Sequence, residues 1–230
     1  MLYGSIFYKF TTRMSEQTNL CTSVEKTMEC ISNNISFTIC SAITKLDLKY
    51  NKIGDEGAKL LADVLKLNNT LITLNLGYNE IGDEGVKSLA NVLQHNNALI
   101  TLNLKLNDIG EEGAKSLADA LKLNCTLIKL NLFMNQIGDE GVKSLADALK
   151  LNCTLIKLNL QCNKIGAEGA KSLGNALKEN NTLTYLDLGG NRIGAEGSIA
   201  LSKVLKYNTT LTTWYLSNNQ IGNEGAKSLA

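Results

Sequence analysis

Apolar and polar positions along the chain follow two periods in alternation. Leu74 and Leu76 alternate with Thr73 and Asn75, the period of a short strand with one buried and one open face. After a turn, Asp83-Glu84-Gly85 leads into Val86, Leu89, Ala90 and Leu93, whose spacing of i, i+3, i+4, i+7 draws one apolar stripe along a helix. The same text returns without a gap in rows 43–70, 71–98, 99–126, 127–154, 155–182 and 183–210, and a seventh row runs from 211 to 230. The unit is strand, turn, helix, written six times in full and once in part.

One such unit cannot bury its own stripe. Stacking successive units predicts an α/β solenoid, with a parallel sheet on the inside of the curve and helices outside. The absence of Pro follows, because Pro would delete a ladder donor in the strand and break the helix. Gly54 and its counterparts Gly82, Gly110, Gly138, Gly166, Gly194 and Gly222 are expected to supply backbone freedom for the turn. Asp55, Asp83, Glu111 and Asp139 are expected to cap the helix they precede and oppose its dipole. Asn51, Asn79, Asn107, Asn135, Asn163, Asn191 and Asn219 fill one column just after the strand, where an inward amide can bond the neighbouring turn as donor and acceptor. The column of Asn68, Asn96, Asn124, Asn152, Asn180 and Asn208 reads as a helix C-terminal cap or turn residue.

The shared wording Asn-x-Ile-Gly-x-Glu-Gly-Ala-Lys-Ser-Leu-Ala resembles the leucine-rich repeat, in its ribonuclease-inhibitor subtype, and especially the repeat domains of NOD-like receptors. The resemblance covers 43–230 and implies a horseshoe, with a concave parallel sheet and convex helices, used for protein recognition or regulation of the innate-immune sensing kind. No GxxxxGK[ST] loop occurs. Residues 1–42 depart from the pattern and are read as a degenerate N-terminal cap. There Ser23 to Ser32 is expected to be a helix turning Val24, Thr27, Met28 and Ile31 to the first row. The last row stops within its helix, which predicts either a fragment or an apolar end covered by another molecule, a second copy included.

Charge narrows the choice of partner. Twenty-three basic against 22 acidic side chains leave +1, too little field to gather nucleic acid or an anionic membrane. No apolar run approaches the ~18 residues of a membrane span, and Met1 to Tyr8, followed by Lys9 and Arg13, makes a poor secretion signal. A cytoplasmic location with reduced thiols is the expectation. The six Cys form no CxxC pair and His95 is the only His, so neither a metal site nor a cofactor is expected. Cys125 and Cys153 share a column one row apart, within disulfide reach, but are read as free thiols. The N-x-T sequences starting at Asn68, Asn124, Asn152, Asn180 and Asn208 are read as products of repeat copying.

Because the rows are copies, binding residues are expected where rows differ at positions the fold does not use. Four columns lie on the open strand face. The first two are nearly uniform; the next two are Lys49-Tyr50, Gly77-Tyr78, Lys105-Leu106, Phe133-Met134, Gln161-Cys162, Gly189-Gly190 and Ser217-Asn218. Leu106, Phe133, Met134 and Cys162 line up as an apolar strip, extended by Tyr50 and Tyr78 and bordered by Lys105 and Gln161, with Tyr185 and Tyr215 also on the open face. Leu106 and Cys162 carry two readings, facing a partner or tucking into the loop above the strand. Trp214 stands in a Leu column and reads as core or end cap. Glu84 to Lys87 and its copies make a solvated outer face. The function expected is a non-enzymatic scaffold that binds a protein or peptide. Two alternatives remain: a Ran-type GTPase-activating protein, for which Arg192 is the one repeat Arg but stands in an ordinary exposed loop column, and a structural module assembling end to end through the C-terminal edge.

Overall fold

The computed structural model describes residues 19–230 other than 22 and 36, so Met1 to Tyr8, Lys9 and Arg13 lie outside the described residues. Seven three-residue strands form one parallel sheet in chain order: β3 Lys45–Asp47, β4 Thr73–Asn75, β5 Thr101–Asn103, β6 Lys129–Asn131, β7 Lys157–Asn159, β8 Tyr185–Asp187 and β9 Thr213–Tyr215. The register pairs equivalent residues of successive rows, Leu74 with Leu102 for example. Helices α2 Gly54–Leu65, α3 Asp83–Leu93, α4 Glu111–Leu123, α5 Gly138–Leu151, α6 Ala167–Leu177, α7 Gly194–Leu205 and α8 Gly222–Leu229 stack on the other side, each against the next. Together they make a leucine-rich-repeat α/β solenoid with an open sheet. Leu74, Leu76, Val86, Leu89, Ala90 and Leu93 are all buried, so the strand alternation and helix stripe meet in one core.

Two Asn columns join each row to the row before it, and an Asp column does so in three of the rows. Asn107 Nδ2 donates to Leu76 O at 2.9 Å, while its Oδ1 accepts from the N–H of Asn79 at 3.1 Å and of Ile81 at 3.0 Å. These are the two-way bonds expected of that column. Asn124 Nδ2 donates to Leu93 O at 2.7 Å, capping the C-terminal end of α3, the preceding row's helix, while its Oδ1 accepts from Leu127 N–H in its own turn. The Asp column also works across rows, which corrects the expectation that it caps its own helix. Gly82 N–H and Gly85 N–H donate to Asp55 Oδ1 at 2.7 and 3.0 Å, and Asp83 and Asp139 receive the same pair from Gly110 and Gly113 and from Gly166 and Gly169. An Asp in one helix thus caps the next.

That cap sets the shape of the turn. Where an Asp precedes by one row, Gly82, Gly110 and Gly166 are extended, with φ between −95 and −99. Where Glu111, Ala167 or Ala195 precedes, Gly138, Gly194 and Gly222 take φ +62, +64 and +66, so left-handed freedom is needed only in some rows. The capped turns bring the Ile N–H within 3.0 to 3.1 Å of the following Asn Oδ1. In the uncapped rows it stands at 3.5 Å for Ile53 and 3.4 Å for Ile193, and after row four the buried Asn163 Oδ1 has no hydrogen-bond partner among the described residues.

Ahead of the first row, β1 Asn19–Cys21 and β2 Phe37–Ile39 pair in parallel around α1 Val24–Ser32, a small sheet absent from the sequence reading. Ser23 caps α1 by accepting from Lys26 N–H at 3.2 Å. Thr27 and Ile31 are buried and Met28 packs on the core as expected, but Val24 is 36% exposed and Cys30 takes an inward place. A Cβ on Gly57 would come within 2.8 Å of Ile31 Cγ2; the equivalent Gly113 meets Asp83 of the preceding row's helix instead. Cys21 Sγ lies 3.7 Å from Cys30 Sγ, and burial, then that hydrogen bond, pushes the Cys21 thiol up to about 11. In the last row, Leu211, Trp214 and Leu216 are only partly buried against the core.

The inter-row cap predicts two substitutions of opposite sign. Asp83→Ala should lower the free energy of unfolding by about 1 kcal/mol and speed amide exchange at Gly110 and Gly113, in the following row. Ala167→Asp should raise stability by a similar amount, read by denaturant titration, as the row-six turn closes around Gly194.

Candidate functional site

Among the described residues the open face of the sheet is a broad surface built from strand side chains, and its second column has a structural job. In the second column a side-chain oxygen accepts from its own backbone two residues on: Asn75 from Gly77 N–H, Asn103 from Lys105, Asn131 from Phe133, Asn159 from Gln161 and Asp187 from Gly189, at 2.9 to 3.1 Å. Such Asx turns direct the chain out of the strand. Row seven carries Tyr215 here, which leaves that side chain 49% exposed on the open face.

Row-to-row backbone bonding continues past the three-residue strands. Tyr50 N–H donates to Gly77 O, Tyr78 to Lys105 O, Leu106 to Phe133 O, Met134 to Gln161 O and Cys162 to Gly189 O, at 2.7 to 3.2 Å. The third and fourth columns are therefore held in register. Every residue of the fourth is left-handed: Tyr50 φ 64, Tyr78 φ 60, Leu106 φ 50, Met134 φ 50, Cys162 φ 55, Gly190 φ 66 and Asn218 φ 56. Gly and Asn are the residues this conformation suits, whereas for a larger L side chain it costs roughly 1 kcal/mol. Rows one to five nevertheless place Tyr, Tyr, Leu, Met and Cys there.

The structure divides the expected site residues into three groups. At one end Tyr50, 61% exposed, stacks on Tyr78 with ring centroids 4.1 Å apart, and Lys105 Nζ lies 5.2 Å from the Tyr78 centroid. A Cβ on Gly77 would meet Lys105 Cγ at 3.0 Å, so the bare Gly gives the lysine stem its path to the ring. A hydrogen bond with Tyr78 raises the Tyr50 hydroxyl above its ordinary value. In the middle Leu106, Phe133, Gln161 and Cys162 are half-buried and Met134 is 44% exposed. A Cβ on Gly190 would lie 2.5 Å from Cys162 Sγ, so that thiol leans over the bare Gly of the next row. At the other end of the sheet, Tyr185, the first residue of β8, and Tyr215, the last of β9, stand 5.6 Å apart, with Lys157 Nζ 5.7 Å from the Tyr185 centroid. Burial, then the Asp187 charge, raises the Tyr185 hydroxyl.

Beyond the middle strip, Met134, Cys162, Gly190, Lys164 and Arg192 line a shallow depression on the turn side. Lys164 Nζ donates to Gln136 Oε1 at 3.1 Å across one row, and Arg192 is exposed. The convex face is occupied by exposed i, i+3 ion pairs such as Lys143 with Glu140 at 3.1 Å. At the C-terminal ends of the helices, Leu67, Leu123, Leu151 and Tyr207 stand exposed, a feature the sequence reading missed. Comparing rows in that column, where His95 and Glu179 also occur, would have marked it as variable. Cys125 and Cys153 are exposed free thiols. Among the described residues no group of three or more His, Cys, Asp or Glu is placed to hold a metal ion, and no helix is long and apolar enough to cross a membrane.

A family profile described as Leucine Rich repeat matches residues 40–62, 67–90, 95–118, 123–146, 151–174, 179–202 and 207–230. No curated protein matches the chain. Among solved structures it is similar to leiomodin-1 actin-binding site 2, at 20% identity over 81% of this chain and 91% of that one with a TM-score of 0.48. It is likewise similar to the tropomodulin C-terminal domain from Caenorhabditis elegans, at 14% identity over 81% and 93% with a TM-score of 0.48. The matched segments fill well over half of the sequence and follow the strands row by row, and on that ground the chain belongs to the leucine-rich repeat family.

Proposed function

We propose that this protein is a non-enzymatic scaffold whose open, concave sheet face binds a protein or peptide. The observation that carries the reading is the left-handed fourth column of the open face, whose Tyr, Leu, Met and Cys side chains set it apart from the left-handed turn residues Lys52, Glu80, Lys164 and Gln220. The fold is served there by Gly190 and Asn218, yet five consecutive rows hold large or polarisable side chains in a conformation that disfavours them. Backbone strain kept where a strain-free residue is available is a mark of a functional surface. Tyr, Phe and Met beside Lys match the composition of interface cores. The strand-turn-helix row of 28 residues supports the ribonuclease-inhibitor subtype, and its wording supports a NOD-like setting of sensing or regulation.

Phe133→Asp with Met134→Asp should leave circular dichroism unchanged and abolish capture of the partner recovered by cross-linking and mass spectrometry. Unchanged capture by the folded variant would remove the concave reading. The strain argument has its own test. Met134→Gly relieves the left-handed backbone while adding chain entropy to the unfolded state, two terms of about 1 kcal/mol that nearly cancel. Its stability should therefore stay within about 1 kcal/mol of the parent. Leu132→Ala, two residues earlier in the fully buried column, should cost about 2–5 kcal/mol.

A further inference from the structure

The open face carries a charge asymmetry that the whole-chain sum conceals. In rows four to six the face and its turn rim hold Lys129, Lys157, Lys164 and Arg192 against Asp187 alone, a balance of 4 − 1 = +3, where the chain as a whole has 23 − 22 = +1. Among the described residues none of these four cations lies within ion-pair distance of a carboxylate, whereas the helix-face lysines Lys87, Lys115, Lys143 and Lys171 each have one. Lys129 and Lys157 are moreover direct cross-strand partners in the β6–β7 register. Like charges placed opposite each other destabilise a sheet, and the fold does not require them, since the same column holds Thr73, Thr101 and Thr213 elsewhere. Lys157 turns toward the Tyr185 ring, which leaves the exposed Lys129 Nζ without a hydrogen-bond or ion-pair partner among the described residues.

The two cation pairs lie on either side of the middle strip: Lys129 and Lys157 open β6 and β7, while Lys164 and Arg192 stand in the turns that follow β7 and β8, Lys164 seven positions beyond Lys157. Phe133, Met134 and Cys162 lie between them, beside the depression that Lys164 and Arg192 border. Building on the concave-face reading above, we infer that the occupant of rows four to six is an acidic segment of a protein partner, in which an apolar side chain is flanked on both sides by carboxylates. The apolar residue seats on Met134 and Cys162, in the depression they line together with Gly190. One acidic flank neutralises Lys129 and Lys157, and the other meets Lys164 and Arg192. Charge complementarity of this kind sets specificity and speeds association, and it weakens with added salt.

The test pans the full chain against a displayed library of short random peptides, then measures synthesised winners by fluorescence anisotropy. Enriched peptides should carry Asp or Glu on both sides of an apolar residue. Their affinity should fall about tenfold in the Lys129→Gln, Lys157→Gln variant, the sum of two exposed ion pairs, and again with rising NaCl, while circular dichroism stays unchanged. Enrichment of neutral or basic peptides, or acidic winners indifferent to the Lys→Gln changes, would overturn the inference. If such peptides still lose binding on Phe133→Asp with Met134→Asp, the concave-face reading stands without it. If no peptide enriches, or if winners ignore that pair of substitutions, both readings fail. Binding to phosphatidylserine vesicles or to single-stranded DNA in place of any peptide would also overturn the inference.

Discussion

The buried amide that follows each strand is the interaction on which the rest of the molecule depends. A three-residue parallel strand makes too few ladder bonds to fix its own end, and the chain must leave it through a turn whose N–H and C=O groups lie in the core. One Asn from the next row satisfies both kinds of group at once, as Asn107 does for Leu76, Asn79 and Ile81. An unmet buried donor or acceptor costs on the order of 1–3 kcal/mol, so no row is complete alone. Leucine packing supplies the driving force, while the amides set the register in which it is spent.

Two further columns act in the same backward or forward sense. The Asn after each helix closes the preceding helix, and Asp55, Asp83 and Asp139 close the following one. Where the Asp is missing, the turn opens, its Gly becomes left-handed and the Ile-to-Asn bond lengthens or disappears. With these duties assigned, the open-face residues left without one are the first, third and fourth columns, and the surface argued to bind a partner is defined by that remainder. The strip is thus located by accounting for polar groups, before any appeal to its apolar character.

Much of this was legible in the chain. Alternation at Leu74 and Leu76 and the stripe from Val86 to Leu93 gave strand and helix, and an Asn repeated in every row announced an architectural role. The Asp column was misread because the sequence places it next to its own helix, and the one-row offset of the bond exists only after stacking. The left-handed column escaped notice for a different reason. Tyr, Leu, Met and Cys give no hint of positive φ, and only Gly190 and Asn218 at its end betrayed the backbone they share. The β1–β2 pair was invisible because three residues are too few to show a period and their pairing is non-local. Charge neutrality of the whole chain concealed the basic patch, which emerged only when side chains were sorted by face.

The dependence of each row on the next can be measured directly by amide hydrogen exchange on Asn107→Ala. If the row-to-row amide governs the fold, protection is lost at Asn79 and Ile81, in the row before the substitution, while Ile109 in row three, served by Asn135, keeps its protection. Loss confined to row three, or spread evenly over the whole solenoid, would contradict it.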